Sequence, residues 1–146
     1  MSFLESLNIS GSGLTAQRFR MDVISENIAN IDTTRTENGE PYRRKMVVLT
    51  SENSFKEMMV KNIKDYEAGG VEVSEIVEDQ SEFKLVYDPE HPEHPDADMN
   101  GYVRMPNVDS LKETVDMMEA YRAYQANVTA LNTTKQMAVK ALEIGR

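Results

Sequence analysis

SLKETVDMMEAYRAYQANVTALNTTKQMAVKALEI, residues 110–144, contains neither proline nor glycine, and its apolar residues return at helical spacing. Met117, Tyr121, Tyr124, Val128, Leu131, Ala138 and Leu142 fall on one heptad grid, with Lys135 the exception. Beside that seam runs a second, mostly of small residues: Ala120, Ala123, Ala130, Met137, Ala141 and Ile144. Ser110-Leu111-Lys112-Glu113 reads as a capping box, in which Glu113 reaches back to the free amides of the first turn. Gly145 ends the pattern. The spacing predicts one long helix. About 35 residues at ~1.5 Å rise make a rod of ~50 Å. A compact globule of this chain length has a radius of gyration near ~15 Å, so the helix must protrude or lie along another long helix.

The obvious partner is at the other end of the chain. Phe3, Leu7, Leu14, Met21, Ile24, Ile28 and Ile31 share a heptad grid, with Ser10 and Gln17 the exceptions. The helix is expected from Leu14 to about Asn30, with a start or hinge near Ser12, because Gly11 and Gly13 are poor helix formers. Residues 32–41 then end the periodicity and read as an exposed connection. Two seams on the C-terminal helix exceed what one partner covers, and alanine-rich surface admits close approach of further helices. The competing reading packs the second seam on the chain's own middle region.

That middle region has a different texture. Met46-Val47-Val48-Leu49 reads as a strand, and Val71 and Val73, then Phe83, Leu85 and Tyr87, alternate as two half-buried strands should. Phe55, Met58, Met59, Ile63 and Tyr66 fit a short amphipathic helix, and Gly69-Gly70 is a break. Prolines at 89, 92 and 95 make residues 88–96 a turn-rich loop, since proline gives no amide hydrogen to a ladder. The fold class is therefore mainly α with a small β-containing middle domain. Long terminal helices form a coiled-coil-like axial core, and the expected boundaries are 1–34, 35–107 and 108–146.

Composition narrows the function. The 146 residues carry 16 basic and 25 acidic side chains, a net charge of −9, with mean hydropathy −0.54 and a pI near 4.7. Such a chain is ill suited to neutralising nucleic-acid phosphates or an anionic membrane surface. It has no cysteine, which excludes disulfide scaffolds and thiolate chemistry. No basic region followed by an apolar run opens the chain, so no Sec-type signal peptide is expected, and no window approaches the ~20 apolar residues of a membrane helix. Passage out of the cytoplasm would need another route.

Three features of the sequence have chemical potential. Asp96-Ala97-Asp98-Met99-Asn100-Gly101 matches the opening of a calcium loop, but position 12 is Asn107 instead of a bidentate Glu; an Asp/Asn/Gly turn is the simpler reading. His91 and His94, among acidic residues, could in principle hold zinc, but the intervening prolines break a shared helical face and both read as solvated. There is no Gly-x-Ser-x-Gly elbow, no Walker loop and no dinucleotide fingerprint, and Gly11-Ser12-Gly13 reads as merely flexible. No catalytic residue, metal site or cofactor is expected. Arg35, Arg43, Arg44 and Lys45 form the densest basic cluster, and in so acidic a chain it suits an acidic surface of a neighbouring subunit.

Ser12-Gly13-Leu14-Thr15-Ala16-Gln17, Met21-Asp22-Val23-Ile24-Ser25-Glu26-Asn27-Ile28-Ala29-Asn30 and Thr33 together resemble the N-terminal signature of the bacterial flagellar rod/hook axial protein family. Thr33-Thr34-Arg35-Thr36 with Pro41-Tyr42-Arg43-Arg44, the stretch from Tyr87-Asp88-Pro89 to Pro106-Asn107-Val108, and Tyr121-Arg122-Ala123-Tyr124-Gln125-Ala126-Asn127 point within it to the proximal rod. Glu26 and Tyr121 depart from the family pattern, which more often has Asn and Ser there.

The resemblance implies a structural, non-enzymatic subunit of the drive shaft that carries torque to the hook. It implies export by the flagellar type III apparatus to the periplasmic space or its equivalent. Its partners would be other copies, the rod proteins FlgB, FlgF and FlgG, and the adaptor FliE. Assembly would then use Leu14, Met21, Ile24, Asn27, Ile28, Asn30 and Ile31 on the first helix, and the heptad seam of the last. The alternative functions are a non-flagellar coiled-coil adaptor and a calcium- or zinc-dependent protein.

Overall fold

The computed structural model describes residues 3–51, 69–87 and 102–145. The expected helix through Phe55, Met58, Met59, Ile63 and Tyr66, the proline-rich loop, His91 and His94, and the Asp96–Gly101 turn lie outside them. Among the described residues the order is α1 (Phe3–Ala29), β1 (Lys45–Ser51), β2 (Val71–Glu78), β3 (Lys84–Tyr87), β4 (Tyr102–Met105) and α2 (Ser110–Ile144). The protein is mainly helical with a small β part, β1 pairing with β2 and β3 with β4. β3 and β4 are antiparallel, Leu85 opposite Arg104 and Tyr87 opposite Tyr102. β4 had no sequence-based expectation, and the strands at Val71–Val73 and Phe83–Tyr87 were expected half-buried. They are largely exposed instead, with Val73 the one half-buried residue of β2. Sheets of two strands offer little apolar area for a second layer to cover.

The chain groups into two units. One comprises Met1–Met21, Val47–Glu75 and Met118–Arg146, the other Asp22–Met46 and Ile76–Met117. In the first unit, α1 does not start or bend at Gly11-Ser12-Gly13 but runs straight through it. The Ser10, Ser12 and Thr15 hydroxyls donate to the carbonyls of Ser6, Ile9 and Gly11, so the local polar groups bond within the helix instead of ending it. Gly13 is there for proximity. A Cβ on it would stand 3.0 Å from the Asn127 side-chain nitrogen of α2. Ser12 works on a second neighbour, its hydroxyl accepting the Val71 amide at 3.0 Å where β2 begins. The stretch read as merely flexible is a three-way contact.

In the second unit, residues 30–45 are more ordered than an exposed connection. Thr36 and Glu40 close a turn through two bonds onto the Glu40 carbonyl, from the Thr36 amide at 2.9 Å and its hydroxyl at 2.8 Å. Gly39 supplies the positive φ of 78° that the turn needs. The start of α2 also differs from expectation. Asp109 caps the helix, its Oδ1 accepting the amides of Leu111 and Lys112 at 2.9 and 3.4 Å. Glu113 does not reach back; it is turned inward.

Gly11 has nothing within 4 Å of where its Cβ would be. Gly11→Ala should therefore gain the full helix-propensity difference, about 1 kcal/mol. Gly13→Ala should gain clearly less or lose, because Asn127 must give way. Denaturant melts of the two variants check that order.

Candidate functional site

Helix α1 places Asn27 on the face that carries Val23 and Ile24 inward, and its amide is 1% exposed. A buried carboxamide needs four partners, two for its oxygen and two for its NH2 group. Asn27 has all four. Oδ1 accepts the Lys45 amide at 2.9 Å and the Tyr42 hydroxyl at 3.0 Å. Nδ2 donates to the Lys45 carbonyl at 2.9 Å and to Glu113 Oε2 at 3.0 Å. Toward Lys45 the side chain thus pairs as a strand would, holding the first residue of β1 by both backbone groups.

Glu113, one turn into α2, is completely buried at 0% exposure, and Arg44 beside it is 8% exposed. Arg44 Nε donates to Glu113 Oε1 at 2.6 Å, and its Nη2 to Asp116 Oδ2 at 3.0 Å. A carboxylate in so dry a place survives because the guanidinium and the Asn27 amide each occupy one of its oxygens. The backbone of Arg44 extends the junction. Its amide donates to Asn107 Oδ1 at 2.8 Å, and its carbonyl accepts the Asp79 amide at 2.8 Å. Asn107 in turn donates to the Asp79 carbonyl and the Ser81 hydroxyl at 3.0 and 2.9 Å. Five stretches of chain therefore meet in one polar junction.

The electrostatics follow from this packing. Burial, with Glu26, Glu113 and Glu78 nearby, pushes the Tyr42 phenol up from 10.0 to about 12. Hydrogen bonds from the Ser81 amide and hydroxyl hold the Asp79 carboxyl below its usual range. Nothing in this geometry presents a nucleophile with a base. It is an arrangement that fixes where strands leave a helical base.

The sequence-derived assembly residues fall in varied surroundings. On α1, Ile24 and Asn27 are buried, Leu14, Met21, Asn30 and Ile31 half-buried, and Ile28 exposed. On α2, Met117, Tyr124, Val128, Leu131 and Ala138 are half-buried, while Tyr121 and Leu142 are exposed. Among the described residues the most buried alanine is Ala120, from the small-residue seam. In the basic cluster Arg35 is exposed, and Arg43 lies 4.3 Å over the Phe83 ring. Arg44 is consumed inside the chain, so any basic patch facing a neighbour rests on Arg35 and Arg43. Sequence reasoning missed the junction roles of Glu113, Asn107 and Tyr42. One signal was available: Glu113 sits one turn before Met117 and two before Ala120, on the apolar side of α2, where a lone carboxylate demands a cation.

Two family descriptions match parts of the chain: "Flagella basal body rod protein" over residues 7–35 and "Flagellar basal body rod FlgEFG protein C-terminal" over residues 99–144. Among curated relatives, the flagellar basal-body rod protein FlgC of Bacillus subtilis is 56% identical, with 100% of each chain covered. The FlgC protein of Borreliella burgdorferi is 44% identical, covering 99% of this chain and 98% of its own. That of Escherichia coli O6:H1 is 43% identical over 100% of both.

Glu113→Gln should lower stability by about 3 kcal/mol, the low end for breaking a buried ion pair, since Asp116 still faces Arg44. Arg44→Met with Glu113→Leu should recover most of that loss. Asn27→Asp should be worse than Asn27→Ala, because it sets a second carboxylate against Glu113; urea melts rank all four. The raised Tyr42 pKa contributes stability that is complete below pH 10.0 and is lost as pH rises through about 12. One tyrosine should therefore ionise late, together with unfolding, in an alkaline absorbance titration.

Proposed function

The chain belongs to the FlgC family of flagellar basal-body rod proteins, a structural subunit of the rod, and from that premise we propose that it polymerises through its two terminal helices. The observation that carries this reading is the bare end of α2. Residues 139–145 are all exposed, with Leu142 at 76% and Ile144 at 85%. Met118, Tyr121 and Met137 are exposed upstream, and Leu4 and Phe19 on α1. Apolar side chains left bare at helical spacing suit cover by further helices. In a rod the cover comes from neighbouring copies, from the subunits FlgB, FlgF and FlgG, and from the adaptor FliE. The role is structural, not catalytic: the helices build the shaft, and the polar junction ties the described strands to them.

Energetics shape the assembly route. Ordering backbone costs ~1–2 kcal/mol per residue, and helix ends without cover return little of it. The ends are therefore loose in the monomer and become ordered against neighbours. Loose ends suit type III export through a narrow channel, and delivery to the basal body that way requires no Sec signal. Once assembled, lateral contacts along both helices stiffen a shaft that transmits torque to the hook.

Leu142→Asp with Ile144→Asp should leave the monomer's stability within about 0.5 kcal/mol, as surface changes do, while abolishing rod assembly and motility. Helicity of the parent should rise with concentration or on mixing with rod partners. Full motility of the double variant, or complete hydrogen-exchange protection of α2 in dilute monomer, would overturn the reading.

A further inference from the structure

Within the second unit, one face of the β3–β4 pair is partly covered, through Val103 and Met105 of β4, and the other is bare. Register puts Val86 with Val103 and Lys84 with Met105 on one side. There Val103 is buried and Lys84 Nζ reaches the Val108 carbonyl. The opposite side carries Leu85 (63% exposed), Tyr87 (61% exposed), Tyr102 and Arg104. The two tyrosine rings lie against each other with centroids 5.2 Å apart. Arg104 has no acidic partner among the described residues. A paired aromatic platform with an uncommitted arginine is the composition that concentrates binding energy at protein interfaces.

A surface of complementary character lies elsewhere in the same unit. The Thr36–Glu40 turn, the Tyr42 segment and the end of β2 enclose a cleft of about 510 Å³ walled by Glu26, Glu37, Glu40 and Glu78. Glu26 is engaged by Lys45 at 2.5 Å, and Arg43 stands at the wall over Phe83. Glu37, Glu40 and Glu78 have no cationic partner among the described residues.

We propose that the Leu85–Tyr87–Tyr102–Arg104 face of one copy docks into the Glu37–Glu40–Glu78 cleft of a second copy of this chain. Charge selects the occupant, because an exposed arginine at the edge of an apolar and aromatic face suits a carboxylate, and among the described residues three unpaired ones stand around a cavity. The two surfaces differ, so the contact is heterologous, the type that propagates as a ring or a helical filament and does not stop at a dimer. It rests on membership of the rod family for its context but not on the terminal-helix reading, since it uses neither helix end.

The chain has no cysteine, so the contact can be read by disulfide trapping in full-length protein. Glu40→Cys and Arg104→Cys, mixed under mild oxidation and in assembled basal bodies, should give a covalent dimer of this chain that neither variant gives alone. Arg104→Glu should weaken self-association at least tenfold. Mixing it with Glu37→Lys/Glu40→Lys should restore association, while circular dichroism stays unchanged because all these side chains are at the surface. Trapping of Arg104→Cys with itself, or only with another flagellar component, would overturn the proposal, as would unchanged self-association of Arg104→Glu. Failure of the Leu142 and Ile144 variants to disturb assembly, with trapping intact, would instead strike the terminal-helix reading.

Discussion

A single buried carboxylate, Glu113, sets the terms for the second unit. It cannot stay dry and charged without a cation, and Arg44 supplies one at 2.6 Å. Fixing Arg44 fixes the backbone on either side of it, and that backbone is where β1 begins and where the end of β2 is tied. Asn27 completes the arrangement from α1, with every donor and acceptor of its amide used. The result is a joint whose parts fail together, because removing one partner leaves the others buried and unpaired. A hydrophobic joint of the same size would slide more easily. Directional bonds to Lys45 by both amide and carbonyl allow one register only.

The first unit solves its packing differently. Gly13 lets α1 come within contact of Asn127 on α2, and Ser12 beside it catches the start of β2. Small residues there set a distance, while the polar junction sets an orientation. Both suit a subunit of a stiff shaft, in which error in one copy would be repeated in every neighbour. The end of α2 is left bare, which is the feature on which the proposed polymerisation through the helices rests. The bare β3–β4 face and the acid-walled cleft belong to the second unit and are the surfaces proposed to join one copy to the next.

Much of this was legible in the residues, and the misses have physical causes. The run from Ser110 to Ile144 announced one helix, and Met46–Leu49, Val71–Val73 and Phe83–Tyr87 announced strands. The hinge expected at Gly11-Ser12-Gly13 failed because propensity describes a helix in water, and this one is held by neighbours on two sides. The capping role assigned to Glu113 failed because a sequence shows what a side chain could reach, and Asp109 was one residue better placed to cap. Heptad counting passed over Asn27 because it scores apolar residues only. Ile28 on the grid is exposed while Asn27 next to it is buried.

Chain order by itself determined the two long helices, three of the four short strands described between them and the acidic surface, because periodicity, proline placement and charge are local properties. It also carried enough of the family pattern to place the chain among rod proteins. The tertiary structure alone decided that Arg44 belongs inside and that Glu113 is its counter-ion, 69 residues away. It likewise decided that Tyr87, Tyr102 and Arg104 share one face. Those facts depend on which distant groups lose their water together, and no stretch of sequence read on its own contains that information.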